Sequence, residues 1–104
     1  MLLSTTHSIS GKTVVKHLGL VRGNTIRARH IGRDIMAGLR NVVGGEVTDY
    51  TKMMAESREQ SIDRMIEEAQ KLGANAIVGV KFSTTEMMQH AAEIMVYGTA
   101  VVVE

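Results

Sequence analysis

Two apolar segments near the C-terminal end constrain the fold of this chain more than any other feature. They read L-G-A-N-A-I-V-G-V over residues 72–80 and V-Y-G-T-A-V-V-V over residues 96–103. A long helical pattern runs into Gly73, and the chain then continues as two apolar strands with small residues at intervals. This pattern defines the architecture of the C-terminal half and indicates that the chain assembles with copies of itself.

Composition narrows the possible functions. A chain of 104 residues predicts one domain, spanning residues 1–104. The net charge is only +1 and three residues are aromatic, which disfavours nucleic acid as a partner. Cysteine is absent, which excludes disulfides, zinc fingers, iron–sulfur clusters and cysteine nucleophiles. The first residues do not resemble a signal peptide, and no stretch approaches the ~20 apolar residues of a membrane helix. We therefore expect a cytoplasmic protein with no membrane partner.

The N-terminal half predicts a strand followed by a short helix. Residues 13–22 are rich in β-branched and aliphatic side chains, and Gly23-Asn24 reads as a turn, after which the strand resumes at residues 25–29. Residues 31–43 carry a stripe with helical spacing, which predicts a short helix that ends near Gly44-Gly45. The stripe consists of Ile31, Ile35, Leu39 and Val42.

Residues 46–72 show the strongest helical pattern of the chain. Gly73 follows as a natural C-terminal cap. A helix of this length spans roughly 40 Å, which exceeds the ~33 Å diameter expected of a compact domain of this size. We therefore expect a molecule that is elongated or packed against neighbours. The apolar face of the helix comprises Val47, Tyr50, Met54, Ile62, Met65, Ala69 and Leu72.

Residues 76–88 and 92–103 predict two paired strands. In the first, strict alternation places Ala76, Val78, Val80 and Phe82 on one face. The last strand is apolar on both faces, whereas one helical layer covers only one face. The second face therefore predicts burial by another subunit. The expected fold is α+β: a two-layer β-α-β-β sandwich with an antiparallel sheet and one long helix along the hairpin.

The best candidate for a metal site is Met88 with His90. A thioether and an imidazole on one face of a strand suit a soft ion such as Cu(I). The alternative is that these residues pack at an interface and in a turn, since methionine is an adaptable packing residue. The four histidines show no H-x-x-H or H-E-x-x-H spacing, and no nucleophile elbow accompanies them. We therefore expect no enzyme activity, no catalytic residues and no required cofactor.

A second candidate site is a cleft formed by Gly44, Gly45, Glu46, Tyr50 and Arg58. Backbone N–H groups before the long helix can hold an anion. The phosphate-binding glycine motifs are absent, and Glu46 places negative charge where an anion would sit. A tight corner between two helices is the simpler interpretation of the glycine pair.

The whole chain resembles the YbjQ-like family, which is also catalogued under heavy-metal binding. The resemblance rests on Ser4-Thr5-Thr6, Arg33-Asp34, Val43-Gly44-Gly45-Glu46, Gly73-Ala74-Asn75-Ala76, Val78-Gly79-Val80 and Gly98-Thr99-Ala100. It implies a sandwich like a dodecin subunit and a ring-shaped homo-oligomer, a pentamer. The family is of unknown function. This chain departs from common members at Ser61, where alanine is usual, and at Ser83, where an acid often follows the strand.

Three functional hypotheses follow. The first is a non-enzymatic module that assembles with copies of itself. The second is a heavy-metal-binding protein that uses His90 and Met88. The third is a binder of a small molecule or anion at a subunit cleft.

Overall fold

The computed structural model describes residues 1–28, 45–88 and 91–104. Its elements are β1 (Leu2–Leu3), β2 (Val14–Ala28), α1 (Gly45–Lys71), β3 (Ala76–Met88) and β4 (Ala91–Val103). The predicted long helix and the last two predicted strands are confirmed to within one residue at each end. The short helix predicted over residues 31–43 lies outside the described residues.

The strands form one four-stranded sheet in the order β1-β3-β4-β2. The three long strands are antiparallel to their neighbours, as predicted. The two-residue strand β1 adds a parallel edge that the sequence did not reveal. The predicted α+β class is confirmed. The molecule is elongated, as expected, with dimensions of 55 × 23 × 18 Å and a radius of gyration of 17.3 Å, against about 13 Å for a compact chain of this length.

Strand β2 runs without interruption through Gly23-Asn24, so the turn predicted there is wrong. Gly23 instead allows the helix to approach the sheet closely. A Cβ atom at this position would lie 2.0 Å from the Ser61 carbonyl oxygen and 2.5 Å from the Met65 backbone nitrogen. Glycine permits such an approach because it has no side chain. From the local sequence, a glycine needed for close packing cannot be distinguished from a glycine that marks a turn.

The core lies between α1 and the sheet. The helix contacts β2 and β4 more extensively than β3, rather than lying along the β3–β4 hairpin as predicted. Leu18, Ile62 and Ile66 pack against the core from its margins. The buried core residues are Val21, Met65, Ala69, Ile77, Val80, Val96 and Ala100.

The segment after α1 ends the helix and begins β3 within four residues. Gly73 has a φ of 87°, and its N–H donates to Gln70 while the N–H of Ala74 donates to Ala69. These two hydrogen bonds form a Schellman cap, which requires a residue with positive φ. The Asn75 amide then donates to the Val103 carbonyl and accepts from its N–H, at 2.9 and 2.8 Å. The asparagine side chain thus extends the ladder between β3 and β4.

A bulge at Gly79 changes which residues of β3 share a face. The register shifts between Val78 and Lys81, and Gly79 has a φ of 63°. The predicted alternation is therefore wrong beyond Val78, because a bulge inserts one extra residue into the strand. Lys81 and Ser83 lie on the face that is turned away from the helix, whereas Phe82 lies on the helix side.

The second face of the sheet is partly covered by the chain itself. Ile9 and Val14 pack against a buried cluster on this face, and the N-terminal segment is held by bonds from Gly79 N–H to the Thr6 carbonyl and from Val80 N–H to the Ser4 carbonyl. At this end of the sheet the N-terminal segment provides the cover that we expected from another subunit; burial of the rest of this face by another subunit stays a prediction. The cluster consists of Ala76, Val78, Val101 and Val103.

Two buried hydroxyl groups, those of Thr25 and Ser61, join the helix to β2 and β4. The Thr25 hydroxyl lies 3.1 Å from the Ser61 hydroxyl and 3.2 Å from the Ser57 carbonyl oxygen. The Ser61 hydroxyl lies 2.9 Å from the Ser57 carbonyl and 3.2 Å from that of Ile94. Buried hydroxyls are tolerated only when they are hydrogen-bonded, and this group is bonded throughout. Ser61 is the centre of this group.

Substitution of Gly23→Ala is expected to destabilise the fold by roughly 3 kcal/mol or more, because helix backbone must move away from the new methyl group. Gly11→Ala is the control for backbone conformation alone. Unlike Gly23, Gly11 has a positive φ of 77°, and no atom lies within 4 Å of a Cβ added there, so we expect a cost of roughly 1–2 kcal/mol. Guanidinium unfolding at equal chain concentration measures both. A Gly23→Ala cost no larger than that of Gly11→Ala would contradict the close packing.

The hydrogen bond between the Thr25 and Ser61 hydroxyls predicts that the stability effects of substitutions at these two positions are coupled. Ser61→Ala and Thr25→Val are each expected to cost about 1 kcal/mol, since each removes the buried hydrogen bond between the two hydroxyls. The double variant should lose about 1 kcal/mol less than the sum of the two, because both partners are then removed. Ser57→Ala is the control, since its hydroxyl bonds only Met53 within the helix. Strictly additive unfolding free energies would rule out the coupling.

Candidate functional site

The predicted cleft residues are spread along one helix. Gly45 begins α1, and Glu46, Tyr50 and Arg58 follow within it, whereas Gly44 lies outside the described residues. At 1.5 Å per residue, Arg58 lies about 18 Å along the helix axis from Glu46. A small ligand on this helix therefore does not span the distance from Glu46 to Arg58. Another segment or another chain would have to complete the site. The cleft stays a prediction.

Arg58 itself is exposed and borders a shallow depression of about 420 Å³. The described residues that line this depression all come from α1, so the helix alone provides no opposing wall. They are Ala55, Glu56, Arg58, Glu59 and Gln60.

The predicted metal ligands lie at the tip of the hairpin between β3 and β4. Met88 is the last residue of β3 and is paired with Ala91, the first residue of β4. His90 lies between them, outside the described residues. Within the described part of the chain, no three His, Asp or Glu side chains lie close enough to hold a metal ion. The Met88–His90 pair stays a prediction.

Strand β2 forms one open edge of the sheet. Arg64 donates a hydrogen bond of 2.5 Å to the Asn24 carbonyl, which shows that this carbonyl points away from β4. In an antiparallel ladder without register shifts, the backbone groups of every second residue point the same way. Leu20, Arg22 and Ile26 therefore also direct their N–H and C=O groups outward. Arg64 occupies one carbonyl along this edge, which is how proteins limit unwanted strand pairing.

The opposite edge is formed by two different segments. Residues of the N-terminal segment pair with the first half of β3, through Leu2 N–H to Asn75 and Ser4 N–H to Ile77. Among the described residues, the second half of β3, from Lys81 to Met88, has no strand on the side that faces away from β4. The sheet therefore ends in two different open edges.

Large apolar side chains are exposed mainly on these edge strands. Leu20 and Ile26 of β2 are 66% and 53% exposed, and Phe82 of β3 is 48% exposed. Val15 of β2 and both residues of β1 are exposed as well. Exposed apolar residues on a long open edge mark a surface that pairs with another chain.

The remaining part of the second sheet face carries a polar row that sequence reasoning missed. Arg22 and Lys81 are the cross-strand partners of Tyr97, one on each side. Their alignment depends on the bulge at Gly79, which the sequence signals only as a glycine in an apolar strand. Arg22 and Lys81 are exposed, and Tyr97 is half-buried.

The chain matches the model of the YbjQ family, described as "Putative heavy-metal-binding", over residues 1–104. It is 57% identical over 104 residues to a UPF0145 protein from Dehalococcoides mccartyi strain 195, covering 100% of both chains. A UPF0145 protein from Methanosarcina acetivorans is 56% identical over 101 residues, covering 97% of this chain and 95% of the relative. The chain therefore belongs to the YbjQ-like, or UPF0145, family, as the sequence resemblance indicated.

A solved structure has the same fold. It is the crystal structure of a protein of unknown function of the DUF74 family from Pediococcus pentosaceus. The TM-score is 0.69, and the match covers 100% of this chain and 98% of that chain. At 16% identity, this likeness establishes the fold alone. Among the described residues, α1 is too polar to cross a membrane.

Proposed function

We propose that this protein is a non-enzymatic module that assembles with copies of itself in the cytoplasm. The observation that carries the proposal is the pair of open sheet edges with exposed apolar side chains on both. Strand β2 directs the backbone groups of Leu20, Arg22 and Ile26 outward, and no described strand lies on the outer side of β3 beyond Lys81. Water hydrogen-bonds the backbone groups of an open edge, so leaving them unpaired costs little free energy. Pairing with a second chain also buries Leu20, Ile26 and Phe82, and this burial favours association.

The proposed assembly is a ring. The two open edges differ, so pairing β2 of one copy with β3 of the next is a heterologous contact, which repeats around a ring until it closes. An isologous contact would instead pair β2 with β2. The number of subunits in the ring, five, comes from the family resemblance. A ring of five copies has five times the 11.3 kDa mass of the chain.

Charges on either edge are expected to break the ring. The variants Leu20→Lys/Ile26→Lys and Phe82→Lys should weaken association roughly tenfold or more, since burying an added charge costs at least about 1.4 kcal/mol per contact. Leu72→Lys is the control, because Leu72 is 46% exposed but lies beyond α1, away from both edges. Sedimentation velocity at micromolar concentration measures the mass. A wild-type monomer, or edge variants with unchanged mass, would contradict the proposal.

Mixing the two edge variants tests the heterologous arrangement. The Phe82→Lys chain keeps its β2 edge, and the Leu20→Lys/Ile26→Lys chain keeps its β3 edge. The mixture should contain complexes of two chains and none larger, whereas each variant alone should stay monomeric. If Phe82→Lys alone forms a dimer, the contact is isologous through β2 and the ring proposal fails.

Heavy-metal binding is the second candidate function. The family description supports it, and His90 follows Met88, the last residue of β3, by two positions in the sequence. Thioether and imidazole ligands favour a soft ion. In a ring, each copy would present the same pair.

Calorimetry with Cu(I), Zn(II) and Ni(II) tests this candidate. We expect binding of Cu(I) with a Kd below roughly 10 µM, which corresponds to about 7 kcal/mol. His90→Ala should weaken binding by roughly tenfold or more, whereas His17→Ala should leave it unchanged, because His17 lies in β2. No binding of any of the three ions, or equal effects of the two substitutions, would exclude the site.

A further inference from the structure

The uncovered part of the second sheet face has three aligned rows. The central row is Arg22, Tyr97 and Lys81, with Tyr97 on the middle strand β4. Side chains directly opposite one another across two strands have Cβ atoms about 5 Å apart. The Cβ atoms of Arg22 and Lys81 therefore flank that of Tyr97, one on each side.

The neighbouring rows surround Tyr97 with uncharged groups. Successive rows are about 6.7 Å apart, since alternate residues of a strand share a face. One neighbouring row holds Asn24, Met95 and Ser83, and the other holds Leu20 and Thr99. Met95, Ser83 and Thr99 are half-buried, so they form the floor around the phenol.

Neither cation of the central row is neutralised. Among the residues that the structure describes, no hydrogen bond or ion pair joins Arg22 or Lys81 to another side chain. The carboxylate on the same face is that of Glu93, which accepts a bond of 3.2 Å from the Asn24 amide. Glu93 lies two rows from Tyr97 along β4, and its carboxylate is bonded to the Asn24 amide rather than to either cation.

We propose that this row binds a small planar aromatic anion, with its ring on Tyr97 and its phosphate or carboxylate between Arg22 and Lys81. The phenol offers a flat stacking surface. The guanidinium and the ammonium donate charge-assisted hydrogen bonds to anionic oxygens. Asn24, Ser83 and Thr99 provide uncharged hydrogen-bonding groups at the ring's margin. A mononucleotide has this combination of ring and charge.

The site is complete within one chain and does not depend on assembly. Edge pairing through β2 and β3 continues the sheet and leaves this face open. Because Phe82 lies on the helix side, Phe82→Lys separates the two proposals: it should break the ring and leave anion binding intact.

Nuclear magnetic resonance titration with adenosine monophosphate tests the proposal. We expect shifts of the Arg22, Lys81 and Tyr97 resonances at millimolar ligand. Adenosine, which lacks the charge, and inorganic phosphate, which lacks the ring, should each bind at least about fivefold more weakly, because each makes only one of the two interactions. Phosphate binding as tight as that of the nucleotide would overturn the role of the ring.

Substitutions locate the binding groups. Arg22→Gln and Lys81→Gln should each weaken nucleotide binding roughly fivefold, and more strongly at low salt. Tyr97→Leu should reduce nucleotide affinity to that of phosphate. Lys16→Gln is the matched control, since Lys16 is also an exposed cation on β2. Its cross-strand partner is Val102, whereas Val101 lies on the second face, so Lys16 lies on the helix side of the sheet. An equal loss in Lys16→Gln, or no shifts in the central row at 10 mM nucleotide, would overturn the site.

Discussion

The structure depends on the contact between the α1 backbone and Gly23 of β2. A missing side chain there allows the helix to lie directly on the strand at the edge of the sheet, and the bonded hydroxyls of Thr25 and Ser61 hold it in that position. Helix α1 lies over β2 and β4 and covers one face of half the sheet. Among the described residues, no strand lies on the outer side of β2 or of the second half of β3, and Arg22 and Lys81 of the other face are exposed.

These uncovered surfaces differ in their chemistry, and so do the functions that they support. The edges combine outward backbone groups with exposed leucine, isoleucine and phenylalanine side chains, which suits pairing with identical strands. The open sheet face instead carries two unneutralised cations around a phenol, which suits a charged ligand more than a protein core. The proposed assembly surface and the proposed ligand site therefore occupy separate parts of one sheet, so substitutions should remove either one without the other.

Regular patterns made the elements predictable, whereas irregular ones hid the site. The long helix, its Gly73 cap and the last two strands follow from periodicity and glycine chemistry, and the structure confirms them. The bulge at Gly79 and the close approach at Gly23 were not predictable, because both use glycine for reasons that depend on distant segments. The alignment of Arg22 with Tyr97 and Lys81 needs the register of three strands, which local sequence does not contain. The Met88–His90 pair was visible from spacing alone and stays a prediction.

Hydrogen exchange along β2 of the wild-type protein tests the central claim most directly. The amides of Leu20, Arg22 and Ile26 point away from β4, so they have no partner in the strands that the structure describes. If β2 pairs with β3 of a neighbouring copy, these amides should exchange slowly, and their protection should fall on dilution as the ring dissociates. Fast exchange at these amides at every concentration, beside protected amides at Val21 and Gly23, would contradict edge-to-edge assembly.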